Sequence, residues 1–239
     1  MKKSKFSTFI FLVTVFTCIF AGAFTSANAQ TSEISINLKD FDKLEIGNAF
    51  VIEVTKASSF SIKAKGDKEN LDELESYVKN GELYIKYKSN SWKRNKNGAV
   101  YLYITMPELQ GVTFSGATKS TIEGFSVKGT FSLSLSGASE SKISLKAENT
   151  NISLSGASVV RIFGGNTNKM NVDISGSSSL NAYEYEAQSA NVESSGASSA
   201  KISVSSSLNA EASGASNIKY RGNPNVNSDT SGSSRISRD

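Results

Sequence analysis

Phe131-Ser132-Leu133-Ser134-Leu135-Ser136-Gly137-Ala138 is the stretch that decides the fold. Its apolar residues occupy every second position, so one side of an extended chain is apolar and the other is serine. A glycine then marks a bend, because without a Cβ it can turn where other residues clash. The ending is not unique. Ser-Gly followed by Ala or Ser occurs seven times, with glycines at Gly116, Gly137, Gly156, Gly176, Gly196, Gly214 and Gly232. The spacings between them are 21, 19, 20, 20, 18 and 18 residues. A serine-rich composition can produce Ser-Gly pairs by chance, but not at so even a period.

Working outward, each glycine is preceded by an alternating segment such as Asn151-Ile152-Ser153-Leu154 or Asn171-Val172-Asp173-Ile174. A shorter alternating piece follows, as in Lys142-Ile143-Ser144-Leu145. About 20 residues are too few for a βαβ unit, which takes ~30 or more. They suit one coil of a β-solenoid, whose equivalent strands pair in parallel about 4.8 Å apart. Seven such coils predict a rod on the order of 30 Å long. Leu135, Leu154 and Ile174 are expected to form one inward ladder, and the Ser-Gly-Ala corners another. An antiparallel sandwich also has short strands. However, the tripeptide recurs only at every second turn, and Asn-Gly and Asp-Gly are absent after residue 100.

The first residues read as a targeting segment. Lys2, Lys3 and Lys5 precede an uncharged apolar run from Phe9 to Phe24, and Ala27-Asn28-Ala29 offers a small-residue cleavage site. This is the layout of a signal peptide over residues 1–29. The run of 16 residues is shorter than the roughly 20 a spanning helix needs. Cleavage removes three lysines, so the net charge falls from +4 to 4 − 3 = +1. The apparent basicity is then largely the leader, and the electrostatic case for nucleic acid lapses. Cys18 leaves with it, so the mature chain has no cysteine, and no second apolar run anchors it in a membrane.

Residues 30–110 form an N-terminal β-rich part without the tripeptide, expected to cap the stack. Asn80-Gly81 between two strand-like runs signals a hairpin. Residues 70–76 suggest a helical turn with Asn70 as its cap and Leu71 and Leu74 inward. Residues 111–225 are the repeat, and the more polar residues 226–239 are a last coil or tail.

Further motifs carry a resemblance. Phe41-Asp42-Lys43-Leu44-Glu45-Ile46, Asn80-Gly81-Glu82-Leu83-Tyr84-Ile85, Ile104-Thr105-Met106-Pro107-Glu108-Leu109, the Leu-Ser-Gly repeats and Tyr220-Arg221-Gly222-Asn223-Pro224 run through the chain. On these the sequence, over residues 38–224, resembles the putative auto-transporter adhesin, head GIN domain family of exported bacterial proteins, common in Bacteroidota. The resemblance implies a right-handed parallel β-helix and a role in adhesion. Where that family often has Gly-Asp after the corner, this chain has other residues, as in Ala138-Ser139-Glu140.

With no histidine, Ser-His-Asp and Cys-His catalysis and imidazole-bound zinc are excluded. No cofactor is implied. The reading that follows is a non-catalytic exported β-solenoid, an adhesin or cell-envelope protein whose partner is a glycan or envelope component. Its location is the periplasm, the outer-membrane surface or the extracellular space. The alternative is a polysaccharide lyase or glycosidase, which needs carboxylates about 5 to 9.5 Å apart. Asp173, Glu193 and Glu211 fall at equivalent places in successive coils and are candidates for binding a ligand or a cation. Trp92, Lys93 and Arg94 form a second candidate, suited to an acidic glycan or a headgroup, in a loop that also reads as a solvated hairpin tip.

Overall fold

The computed structural model describes residues 31–88 and 98–239. The expected signal peptide and the candidates Trp92, Lys93 and Arg94 lie outside the described residues. The N-terminal part contains β1 (Thr31–Ser35), β2 (Lys43–Ile46), β3 (Phe50–Lys56), β4 (Ser61–Asp67), α1 (Lys68–Asp72), β5 (Leu74–Lys79), β6 (Glu82–Tyr87) and β7 (Val100–Met106). Then come β8 (Gly111–Phe114) and five long strands, β9 (Lys119–Leu135), β10 (Glu140–Leu154), β11 (Val159–Ile174), β12 (Ser179–Ser194) and β13 (Ser199–Ala212). The last elements are β14 (Asn217–Arg221), β15 (Asn225–Thr230) and β16 (Arg235–Arg238).

Successive long strands pair in parallel, residue against equivalent residue, from β9 to β13. The result is a β-solenoid of about six turns with coils about 20 residues apart. Seven corners enclose six repeat intervals, one fewer than the expected seven coils. Leu135, Leu154 and Ile174 are in register and buried, as alternation requires. Each buried Leu or Ile contributes about 1.5–3 kcal/mol. The same column continues as Ser194, Ala212 and Thr230, so the core thins toward the C-terminus.

The corners differ from expectation in one respect. The glycine and the residue after it are exposed, as at Gly137 and Ala138, and do not form an inward ladder. The inward residue is the next one: Thr118, Ser139, Ser158, Ser178, Ser198 and Ser216 are all buried. A chain turning sharply points its tightest backbone outward and must fill the inside with a small side chain. Those hydroxyls are buried yet satisfied, as a polar group in a core must be. Ser139 Oγ donates to Ser136 O at 2.9 Å, and Ser198 Oγ to Ser195 O at 2.7 Å.

Glycine is required at the apex on two counts. Its φ is +72° to +83° at all seven corners, a region costly for residues with a Cβ. A Cβ on Gly156 would also fall 2.5 Å from the carbonyl oxygen of Gly137. Coils approach this closely because their corners are hydrogen-bonded: Ala157 N donates to Gly137 O at 2.8 Å.

The N-terminal part does more than cap. β2 and β3 form a coil of the stack, pairing in parallel with β8 and β9 on one side and with β6 and β7 on the other. The coil made by β6 and β7 thus lies outside the coil that precedes it in sequence. Antiparallel strands then cover the end: β4 on β7, β1 on β4, and β5 on β6. β5 and β6 are joined by Asn80-Gly81 with φ of +52° and +76°, the backbone such a hairpin turn demands. The helix starts earlier than expected, at Lys68, and its cap is Asp67, whose carboxylate accepts from Glu69 N at 2.9 Å. Leu74 is not on it, because hairpin pairing with Tyr87 draws Leu74 into β5.

Candidate functional site

The face leading into the corners carries two outward columns. Five residues before each of the last five corner glycines stand Asn151, Asn171, Asn191, Asn209 and Asn227, in register. Asn171 Nδ2 donates to Asn151 Oδ1 at 2.9 Å, Asn191 to Asn171 at 3.1 Å, and Asn227 to Asn209 at 2.8 Å. An amide can donate to one neighbour and accept from the other, and the bonds order the column in two segments, Asn151 to Asn191 and Asn209 to Asn227.

Three residues before each of the last six corner glycines runs the second column: Ser134, Ser153, Asp173, Glu193, Glu211 and Asp229. The structure therefore aligns the three candidate acids and adds Asp229, supplied by β15. All four carboxylates are exposed. The strand spacing puts neighbours about 4.8 Å apart at Cα, where like charges repel. The four acids line an open hollow of about 190 Å³ together with Ser195, Ser213 and Ser231. Beside it, an open depression of about 500 Å³ runs over Ser132, Asn151, Asn171 and Asn191. Neither lining contains an aromatic side chain. Among the described residues, no three His, Cys, Asp or Glu side chains converge on a point where a metal ion would sit.

The Asn column and Asp229 were not picked out from sequence. Their signal is the fixed offset from glycine, Asn at minus five and an acid at minus three, seen in the last four coils. It is overlooked when each strand is read alone. The remaining candidates lie elsewhere: the seven glycines at the corner, and Trp92, Lys93 and Arg94 outside the described residues.

Comparisons with known proteins bear on this arrangement. The model of the family described as "Putative auto-transporter adhesin, head GIN domain" matches residues 40–224. A putative adhesin from Bacteroides fragilis has a similar structure, with a TM-score of 0.79 at 19% identity, covering 87% of this chain and 96% of that one. A putative lipid binding protein from Parabacteroides distasonis gives 0.67 at 17% identity, over 88% and 97%. A putative adhesin from Parabacteroides merdae gives 0.67 at 16%, also over 88% and 97%. At these identities the likeness is one of fold. The search of curated proteins found no match.

Proposed function

We propose, from the premise that this chain belongs to the putative auto-transporter adhesin, head GIN domain family, that it is an exported adhesive rod. It is released from its leader at residue 29 and binds a repetitive glycan or envelope component without turning it over. One observation carries the reading. Equivalent outward side chains repeat in register along the stack, in both the Asn and the acidic columns. Such columns offer many weak contacts at a fixed pitch, and weak contacts made together give strong attachment. Descriptions of the structural neighbours as adhesins and as a lipid binding protein support a binding role.

The test uses residues 30–239, labelled and mixed with whole cells, isolated envelopes and immobilised glycans. Saturable retention on one of these, with no shortening of any polysaccharide, is the expected result. Absence of retention on all of them overturns adhesion. Depolymerisation that is lost in Asp173→Asn or Glu193→Gln would establish the polysaccharide-active alternative instead.

A further inference from the structure

The face leaving the corners has the opposite character. Pairing places Lys142, Arg161, Asn181, Lys201 and Lys219 in one outward column, four cations on five consecutive rungs. Arg221 stands two residues beyond Lys219. Like charges stand on neighbouring rungs at Lys142 and Arg161 and at Lys201 and Lys219, where they repel. Arg161 is paired with Glu184 at 3.0 Å and Lys219 with Asp239 at 3.7 Å. Among the described residues, Lys142 and Lys201 have no ion pair.

A bulge builds the centre of this face. Residues 183–185 of β12 have no partners on β13, where Ala182 pairs Ile202 and Glu186 pairs Ser203. The surplus turns Tyr185 into the core, with its hydroxyl 2.7 Å from that of Thr150, and puts Tyr183 on the charged face. The Arg221 guanidinium lies 3.9 Å from the Tyr183 ring centroid, and Lys201 Nζ lies 5.9 Å from it. The ring thus holds Arg221 in place by cation–π attraction. That Arg221 already holds a carboxylate: its Nη2 and Nε donate to Asp239 Oδ2 at 2.8 and 3.1 Å. The Arg221 guanidinium keeps the Asp239 carboxyl below its ordinary range.

We infer that this face, with Lys142, Arg161, Lys201, Lys219 and the Tyr183-backed Arg221, binds a linear polysaccharide bearing carboxylates, a polyuronate, along the rod axis. The inference deepens the adhesion reading and rests on it. Asp239 shows the chemistry required, one carboxylate met by Arg221 and Lys219 together. The pitch does not match duplex DNA. Rungs recur about every 4.8 Å along a parallel stack, whereas each DNA strand presents a phosphate about every 3.4 Å of helix axis.

Polygalacturonate, its methyl ester, inorganic polyphosphate and duplex DNA serve as probes of residues 30–239 in titration calorimetry. Polygalacturonate is expected to bind, more weakly as salt rises, and the neutral ester is expected not to. The triple variant Lys142→Gln, Lys201→Gln, Lys219→Gln is expected to weaken binding by roughly tenfold or more. Asp239→Asn, which removes the internal carboxylate, is expected to tighten it. Glu69→Gln, an exposed change on α1 away from both faces, is expected to change nothing. None of the three alters a buried residue, and circular dichroism checks their folding. No binding of polygalacturonate, equal binding of DNA or polyphosphate, or unchanged binding in the triple variant or in Asp239→Asn overturns the inference. Retention on whole cells is measured in parallel. A triple variant that loses polygalacturonate and keeps cell retention supports the site but places the cell contact elsewhere. Wild-type protein that binds polygalacturonate and not cells keeps the site and overturns adhesion.

Discussion

The repeat at residues 116–232 and the N-terminal stretch at residues 31–114 stack coils of the same kind by different means. In the repeat, every corner is a glycine and every coil lies beside its sequence neighbour. In the N-terminal stretch the equivalent corner residue is Asn48, with φ of +78°. Its carbonyl accepts from Ala117 N at 3.0 Å, so it is the first rung of the glycine ladder. Asn48 Oδ1 also accepts from Tyr87 N at 3.1 Å, tying in the outer coil. Asparagine tolerates this backbone better than most residues. The lesson is that a glycine is obligatory where its Cβ would run into the carbonyl of the corner it stacks on, as at Gly116 against Asn48 O, 2.6 Å away. Elsewhere, backbone tolerance and a useful side chain suffice.

The largest test of that difference is Gly156→Val. Both the strained φ and the overlap with Gly137 O act there, and a loss on the order of 4 kcal/mol is expected in urea denaturation. A loss under about 1 kcal/mol would break the account of the corner. Asn48→Ala comes next. It removes the bond to Tyr87 and strains the backbone, for about 2 kcal/mol, while Asn48→Gly removes the bond alone, for about 1 kcal/mol. Equal losses in the two variants would mean that the bond alone matters at Asn48. On the repeat side, Glu193→Gln relieves repulsion from Asp173 and Glu211. A gain of a few tenths, about 0.3 kcal/mol, is expected at low salt and is expected to vanish near 1 M.

The smallest effect on stability is expected at the N-terminal hairpin. Tyr84 Oη donates to Glu82 Oε2 at 2.8 Å, which pushes its pKa from 10.0 up to about 12. A folded pKa above the unfolded one means the protonated phenol favours the fold. That contribution is complete below pH 10.0 and is lost as pH rises through about 12. In ultraviolet titration, Glu82→Gln is expected to bring Tyr84 back toward the ordinary value. No change would remove Glu82 as the cause.

The two regions were unequally legible in sequence. The repeat declared itself because one tripeptide marks each coil, and alternation then gave the inward column of Leu135, Leu154 and Ile174. Which part of the corner faces inward did not follow from residue size, because Ala138 and Ser139 are both small. Only the turn geometry distinguishes them. In the N-terminal part, alternation revealed strands such as β3 and β7 but not their partners. Nothing in a local pattern says that β7 returns to the far side of β3. The acidic column was legible for Asp173, Glu193 and Glu211, whereas the cationic column crosses a face whose coil lengths vary. There the bulge at residues 183–185 hides the register on which the alignment depends.

The placement of β2 and β3 between elements that follow them in the chain has a kinetic consequence. A coil flanked on both sides by later segments gains its neighbours only when the chain has been made as far as β9. Long-range pairing of that kind is slow, because loop closure must precede the contacts that reward it. The glycine-marked half has no such delay, since each coil needs only the one before it. Refolding is therefore expected to nucleate in the glycine-marked half, with the N-terminal block joining last. Hydrogen-exchange protection follows burial instead, and is expected to decline from the strands around Phe50 and Phe114 to the exposed residues of β15.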